Sequence, residues 1–484
     1  MKRLLAIAIG FAACGKPPVS QVEPTAPGAR PAGPGAAGAE NPAGDPCAKA
    51  HAEGNEAMPW IADDLPAAMA CAARRDVPVV IDFWAPWCHT CLSMQSTVFT
   101  DPSFKPETDR FVFVALDTDK EVNAAALAKY PLSAWPTFYV VGKDASSGQP
   151  DAVLARFVGA ASPSQFHAFL DAGVKARQGG AAGADAHLLS AERATAVKDL
   201  ATAEQELTAA LALAPAGWPR RHDALTSLIQ TKLKRKDYTG CIEVAERSLD
   251  DTGNAAAATD FIVHAMTCAE KRGEDAALAG RIKKLRERSA SRLAALVADR
   301  SAPLTVDDRS DAMLNLRELL DALGKPAEAR ATAEKQRALL DDAAAKATTP
   351  MAAMTYNWQR CEVYVYLGKP LELVPALEKS ARDLPSEYDP RARLGWLYLK
   401  AGKLAEAAKW TDDALRLAYG PRNCRVLAQR AEIAAKQGDR AGELQFRREA
   451  VKRWEALPPG QANPDLLAKA KEELAALEAA GGTR

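Results

Sequence analysis

The stretch IDFWAPWCHTC, Ile81 to Cys91, sets two cysteines, Cys88 and Cys91, two residues apart directly after a short apolar run. Three chemistries use such a pair: a redox centre, half of a metal site, or two buried thiols. A structural zinc site takes four Cys or His ligands, so a second close pair should stand at ligand spacing. Cys71 lies seventeen residues before Cys88, and no histidine follows His89 until His167. The spacing therefore predicts no metal, and nothing else in the chain calls for a cofactor.

Outward from this stretch the chain alternates between elements. PVVIDFW (78–84) reads as a short buried strand, the segment after Cys88 as a helix, and FVFVALDTD (111–119) as a second strand. KEVNAAALAKY (120–130) reads as a helix that stops at Pro131. TFYVV (137–141) and AVLARFVG (152–159) follow as strands joined by the turn-rich GKDASSGQPD, which predicts a hairpin. SPSQFHAFLDAGV (162–174) has a serine cap, a proline in its first turn and helical apolar spacing, and closes the unit.

Strand, helix, strand, helix, hairpin, helix is the order of the thioredoxin fold, and two motifs make the resemblance specific. VVIDFWAPWCHTC resembles that family's strand with a buried aspartate, aromatic pair and Trp-Cys-x-x-Cys. SAWPTFYVV (133–141) resembles its cis-proline loop and the strand after it. The extended DPSFKPETDRFVFVALDTD between them is most similar to the periplasmic thioredoxin-like domains of thiol-disulfide interchange proteins. The likeness covers about a quarter of the chain, residues 47–177.

The resemblance implies a role for each residue. Cys88, at the first turn of a helix, meets unpaired backbone N–H groups and the positive end of the helix dipole, which favour its thiolate. It is the expected nucleophile. Cys91, three residues on, lies on nearly the same helix face and is expected to resolve the mixed disulfide. Asp82, on the strand beneath, is expected to take and return the proton of Cys91. Pro136 is the expected cis-proline, presenting the backbone of Trp135 to a substrate peptide, with Trp87 alongside. His89 and Thr90 are the redox-tuning pair. A protonated imidazole beside Cys88 favours its thiolate and a more oxidising centre, whereas a solvated one does little. The dipeptide leaves reductase, oxidase and isomerase open.

Upstream, Met1-Lys2-Arg3 is followed by the apolar LLAIAIGFAA and Cys14, with the charged and hydrophobic regions of a secretory signal and too few residues to span a bilayer. Ala12, Ala13 and Cys14 resemble the lipobox of bacterial lipoproteins, although Phe11 stands where that family has an aliphatic residue. The expectation is a signal peptide over 1–13, lipidation at Cys14, and a periplasmic or outer-membrane lipoprotein of the bacterial cell envelope. Residues 15–46 hold 14 Gly or Pro in 32 positions and few large apolar side chains. The segment 14–46 therefore reads as a tether unable to offset its ordering entropy. Cys47 and Cys71 frame the start of the next domain. In an oxidising compartment a structural disulfide between them is the favoured reading, with two unpaired buried cysteines as the alternative.

Downstream of a Gly-rich linker at 178–186, residues 187–484 are helical and alanine-rich. ARLGWLYLKAGKLAEAAKWTDDALRLAYGP (392–421) resembles the tetratricopeptide repeat, with Gly395, Tyr398, Gly402, Ala407 and Ala414 at its marker positions. Gly368, Gly402 and Gly438 stand 34 and 36 residues apart. Small residues there let paired helices approach, and successive pairs stack into a solenoid. The fold class expected is an α/β thioredoxin-like fold followed by an all-α tetratricopeptide-like helical solenoid. Cys241, Cys268, Cys361 and Cys424 have no motif spacing and read as core residues or disulfides.

Lys plus Arg and Asp plus Glu both total 62 in 484 residues, so net charge provides no case for nucleic acid. The expected partners are protein thiol or disulfide substrates, a redox partner protein, a protein on the repeat groove, and the membrane through the lipid anchor. The function expected is an extracytoplasmic thiol-disulfide oxidoreductase whose repeats recruit a partner. The alternative is a scaffold or adaptor with a redox-inactive thioredoxin-like module.

Overall fold

The computed structural model describes residues 45–51, 57–145 and 147–480. The signal segment, Cys14 and the tether up to residue 44 lie outside the described residues.

The first unit runs β1 (Ala50–His51), β2 (Trp60–Ala62), α1 (Leu65–Arg75), β3 (Val79–Trp84), α2 (His89–Ser93), α3 (Glu107–Arg110), β4 (Val112–Asp117), α4 (Ala124–Lys129), β5 (Thr137–Gly142), β6 (Ala152–Val158) and α5 (Pro163–Arg177). One sheet has the order β1-β2-β4-β3-β5-β6; β2, β4 and β3 are parallel, while β5 runs antiparallel to β3 and β6. The hairpin of β5 and β6 is therefore present. The short strands β1 and β2 escaped the sequence reading, because two and three residues are too few to show a period of two.

β3 is central and buried on both faces, which is why its sequence is almost continuously apolar. Its alternation still sorts the faces. Val79, Ile81 and Phe83 pack with α1 residues Ala68 and Cys71 and with Tyr139. Val80 points the other way, into a cluster with Phe99, Phe138, Phe166 and Phe169. Asp82 shares the period of Val80 and so the face on the α2 side. α5 starts with a full capping box, Ser162 and Gln165 each bonding the other's backbone. Cys47 and Cys71 form a disulfide that ties the segment before β1 to α1.

Sixteen α-helices among the described residues follow, α6 (Ala184–Ala196) to α21 (Pro464–Ala479). α6 begins inside the stretch read as linker and packs on β6. The helices form consecutive antiparallel hairpins, as in α17 (Asp389–Lys400) and α18 (Leu404–Leu415). The glycines in this hairpin serve two different needs. Gly402 ends the turn at φ +75° with open space where a Cβ would sit, so it is there for the left-handed backbone. Gly395 lies inside α17, where a Cβ would sit 2.3 Å from the Thr411 hydroxyl of α18. Close approach is its role. Cys241 and Cys268 are disulfide-bonded, and Cys361 and Cys424 are buried free thiols.

The helical domain does not trail away from the first unit. It wraps the end of the sheet that carries Cys88. A buried cluster seals one side: Arg220 donates to the carbonyl of Arg156 (2.9 Å) and to Glu192 (3.0 Å) and pairs with Asp223.

Candidate redox site

Cys88 is the N-cap of α2, with extended backbone, and its sulfur accepts the Cys91 N–H at 3.0 Å. The two cysteines are joined as a disulfide, and both are buried, at 4% and 1% exposed. Ala85, Trp84 and Trp87 pack around them. Asp82 is buried on β3, 2% exposed, on the face that α2 covers. The Trp135–Pro136 peptide bond is cis and leads directly into β5. Trp135 is among the few large apolar side chains left exposed, at 38%. Its ring meets that of Trp87 edge-on at 5.1 Å, and its indole N–H donates to Thr118 at 2.9 Å.

A capped, buried cysteine pair beside two tryptophans on one sheet end can carry out thiol–disulfide exchange. A family model described as thioredoxin-like matches residues 60–142.

The first unit is a thioredoxin-like domain.

A 90-residue stretch, 18% of this chain, is 33% identical to the thiol:disulfide interchange protein DsbD of Neisseria meningitidis, of which it spans 15%. A 67-residue stretch, 14% of this chain, is 35% identical to the chloroplastic thioredoxin M4 of Arabidopsis thaliana, of which it spans 33%. Among solved structures, a tetratricopeptide repeat protein from Parabacteroides merdae aligns over 61% of this chain and 98% of its own at TM-score 0.40 and 14% identity.

Around the thioredoxin-like centre the helical domain supplies residues that sequence reasoning missed. His89 is only partly open to solvent, its side chain 21% exposed. Its Nδ1 lies 2.9 Å from Asp307, at the start of α12 (Val306–Ala322), and Asp311 stands one turn further on. Burial works to lower the His89 pKa, but Asp307 and Asp311 outweigh it and push it up to about 9. His89 is therefore an imidazolium at neutral pH, and its charge is answered by Asp307. Burial, reinforced by neighbouring carboxylates, in turn pushes Asp311 up to about 7, Asp308 to about 6 and Asp260 to about 7. Gln359 of α15 (Asn357–Tyr366) donates to Asp311 at 2.8 Å. Ser93 of α2 meets Thr305, the cap of α12, at 3.1 Å. Thr90 sits beside His89, its hydroxyl 3.4 Å from the ring nitrogen.

The tryptophan side is covered as well. Trp87 donates to Asp119 at 2.8 Å, and the Arg422 guanidinium of α19 (Gly420–Gln437) lies 3.8 Å over its ring. Tyr388 reaches Asp119, Tyr419 donates to Asp117 at 2.6 Å, and Gln461 donates to the Thr118 carbonyl at 2.9 Å. Burial pushes Asp119 up to about 6, against the opposing pull of Arg422. The one legible trace in the sequence is Thr305-x-x-Asp308 within TVDDRSD, which forms a capping box. Nothing there discloses that Asp307 meets a histidine 218 residues away.

Proposed function

We propose that the protein is an extracytoplasmic thiol-disulfide oxidoreductase acting on protein substrates. The observation that carries this reading is Cys88 at the cap of α2, its sulfur on the Cys91 N–H, with Cys91 buried behind it. In the reducing direction the Cys88 thiolate attacks one sulfur of a substrate disulfide. A Cys88–substrate bond forms, and the other substrate sulfur leaves as thiolate. Cys91, giving its proton to Asp82, then attacks the Cys88 sulfur, closes the Cys88–Cys91 disulfide and releases the second substrate thiolate. Two electrons pass from the cysteine pair to the substrate, and a redox partner protein with its own thiol pair returns them. The oxidising direction is the same sequence reversed.

In this reading Trp135, Pro136 and Trp87 form the edge on which the substrate chain lies, His89 and Thr90 set the potential, and the helical domain holds a partner. Cys14, lipidated behind Ala13, anchors the chain in the bacterial envelope, and labelled palmitate is expected to mark the wild type and not Cys14→Ala. The decisive test of chemistry is trapping. Cys91→Ser should accumulate mixed disulfides through Cys88, whereas Cys88→Ser should form none; equal trapping by both would overturn the assignment. The helical domain's contacts with His89, Ser93 and Trp87 favour a second reading, a scaffold or adaptor whose thioredoxin-like module is redox-inactive or regulatory. Absence of insulin reduction in the presence of dithiothreitol would favour it.

A further inference from the structure

α12 has two working faces. One carries Asp307 and Asp311 toward the redox centre. The other is the floor of an open groove of about 1150 Å³, walled by α11 (Ala279–Ala298) and α13 (Pro326–Lys346). α11 and α13 both pack on α12 but stand apart from each other. On the floor, Met313, Leu316, Leu320 and Leu323 follow at spacings of three and four. On one wall Ala290, Ala294 and Val297 do the same. Such spacing is how a helix presents a seam to a neighbouring helix. α11 and α12 therefore carry apolar side chains at seam spacing along this lane; Met313, Leu316, Leu320 and Ala290 lie low in it at 7–8% exposed, and Ala294 is exposed.

We infer that this lane seats a fourth, amphipathic helix with acidic flanks, supplied by a partner protein. Length and charge both select that occupant. The α11 wall from Lys283 to Val297 runs about 22 Å, the length of a helix of about fifteen residues. The rim carries Lys283, Arg300, Lys325 and Lys335 against two carboxylates, Glu287 and Glu328. Lys325 already pairs with Glu328 at 3.1 Å, whereas Lys283, Arg300 and Lys335 make no ion pair among the described residues. A helix whose apolar stripe fills the lane and whose flanks carry Glu or Asp meets those cations. Residues 15–46 lack the composition of such a helix, with 14 Gly or Pro in 32 positions and few acidic residues.

This deepens the partner-binding part of the proposed function and rests on it, while its test does not depend on the cysteines. The probe is a fluorescent peptide of about eighteen residues with leucines at heptad seam positions and glutamates on both flanks. Two control peptides carry the same residues with the leucines scattered, or lysine for glutamate. Anisotropy with the full chain should show saturable binding of the first peptide, at least about tenfold tighter than either control. Ala294→Trp fills the lane from an exposed position, and Lys283→Glu with Lys335→Glu reverses its rim. Each should weaken the acidic peptide at least about tenfold, with an unchanged circular dichroism melt. Equal binding of the scattered peptide, no saturable binding, or binding unaffected by Ala294→Trp would overturn the inference. So would a wild type that dimerises in sedimentation and turns monomeric with Ala294→Trp, because the occupant would then be a second copy. Loss of insulin reduction in Cys88→Ser with peptide binding intact would separate the two readings.

Discussion

The side chain that changes most between sequence and structure is His89. Placed between the two cysteines, its ring also reaches Asp307 of the helical domain. This makes it a pH-sensitive link between domains. Its folded pKa, about 9, stands above its ordinary value, so the stability it adds is full below about 6.5 and lost as pH rises through 9. The raised carboxylates beside it act in the same sense at lower pH, since the folded state holds their protons more tightly up to about 6 or 7. The wild type is therefore expected to exceed His89→Gln in urea stability at pH 6 and to converge with it above pH 9. A constant difference across that range would remove the Asp307 pairing from the account.

The helical hairpins rest on two kinds of glycine, and the two should respond differently to the same change. Gly402→Ala puts a Cβ into open space on a backbone at φ +75°, so the strain alone sets the loss, about 1 kcal/mol. Gly395→Ala drives a Cβ against the Thr411 hydroxyl at a helix crossing. Separating α17 from α18 disturbs packing along both, so its cost should be larger, about 1–3 kcal/mol. Thermal denaturation of the two variants orders them, and a Gly402→Ala that matches or exceeds Gly395→Ala would reject the distinction.

The helical domain docks on residues flanking the cysteine pair, His89, Ser93 and Trp87, and one backbone approach is especially close. Gly420, at φ +51° and the start of α19, leaves a Cβ only 2.0 Å from the Asp119 carbonyl oxygen. Gly420→Val cannot keep that approach, so α19 and Arg422 should lift from Trp87. The expected result is faster alkylation of reduced Cys88 than in the wild type. An unchanged rate would mean that reagents reach Cys88 by a route that the cover does not block.

The local arrangement was legible in the chain because it is encoded locally. A buried strand, a Cys-x-x-Cys at a helix start, a hairpin and a serine-capped helix each declare themselves within a few residues through period, cap and turn chemistry. The hairpin repeats declare themselves through turn glycines at near-constant spacing. β1 and β2 escaped because strands of two and three residues carry no period. The encounter of His89 with Asp307, of Trp87 with Arg422, and of Gly420 with Asp119 was beyond any such reading. Those pairs lie 218 to 335 residues apart, and side chains so distant meet only through the stacking of every helix between them. Reading the residues discloses a redox centre and a solenoid. That the solenoid meets the residues flanking that centre follows from the accumulated packing of successive hairpins, which no short stretch contains.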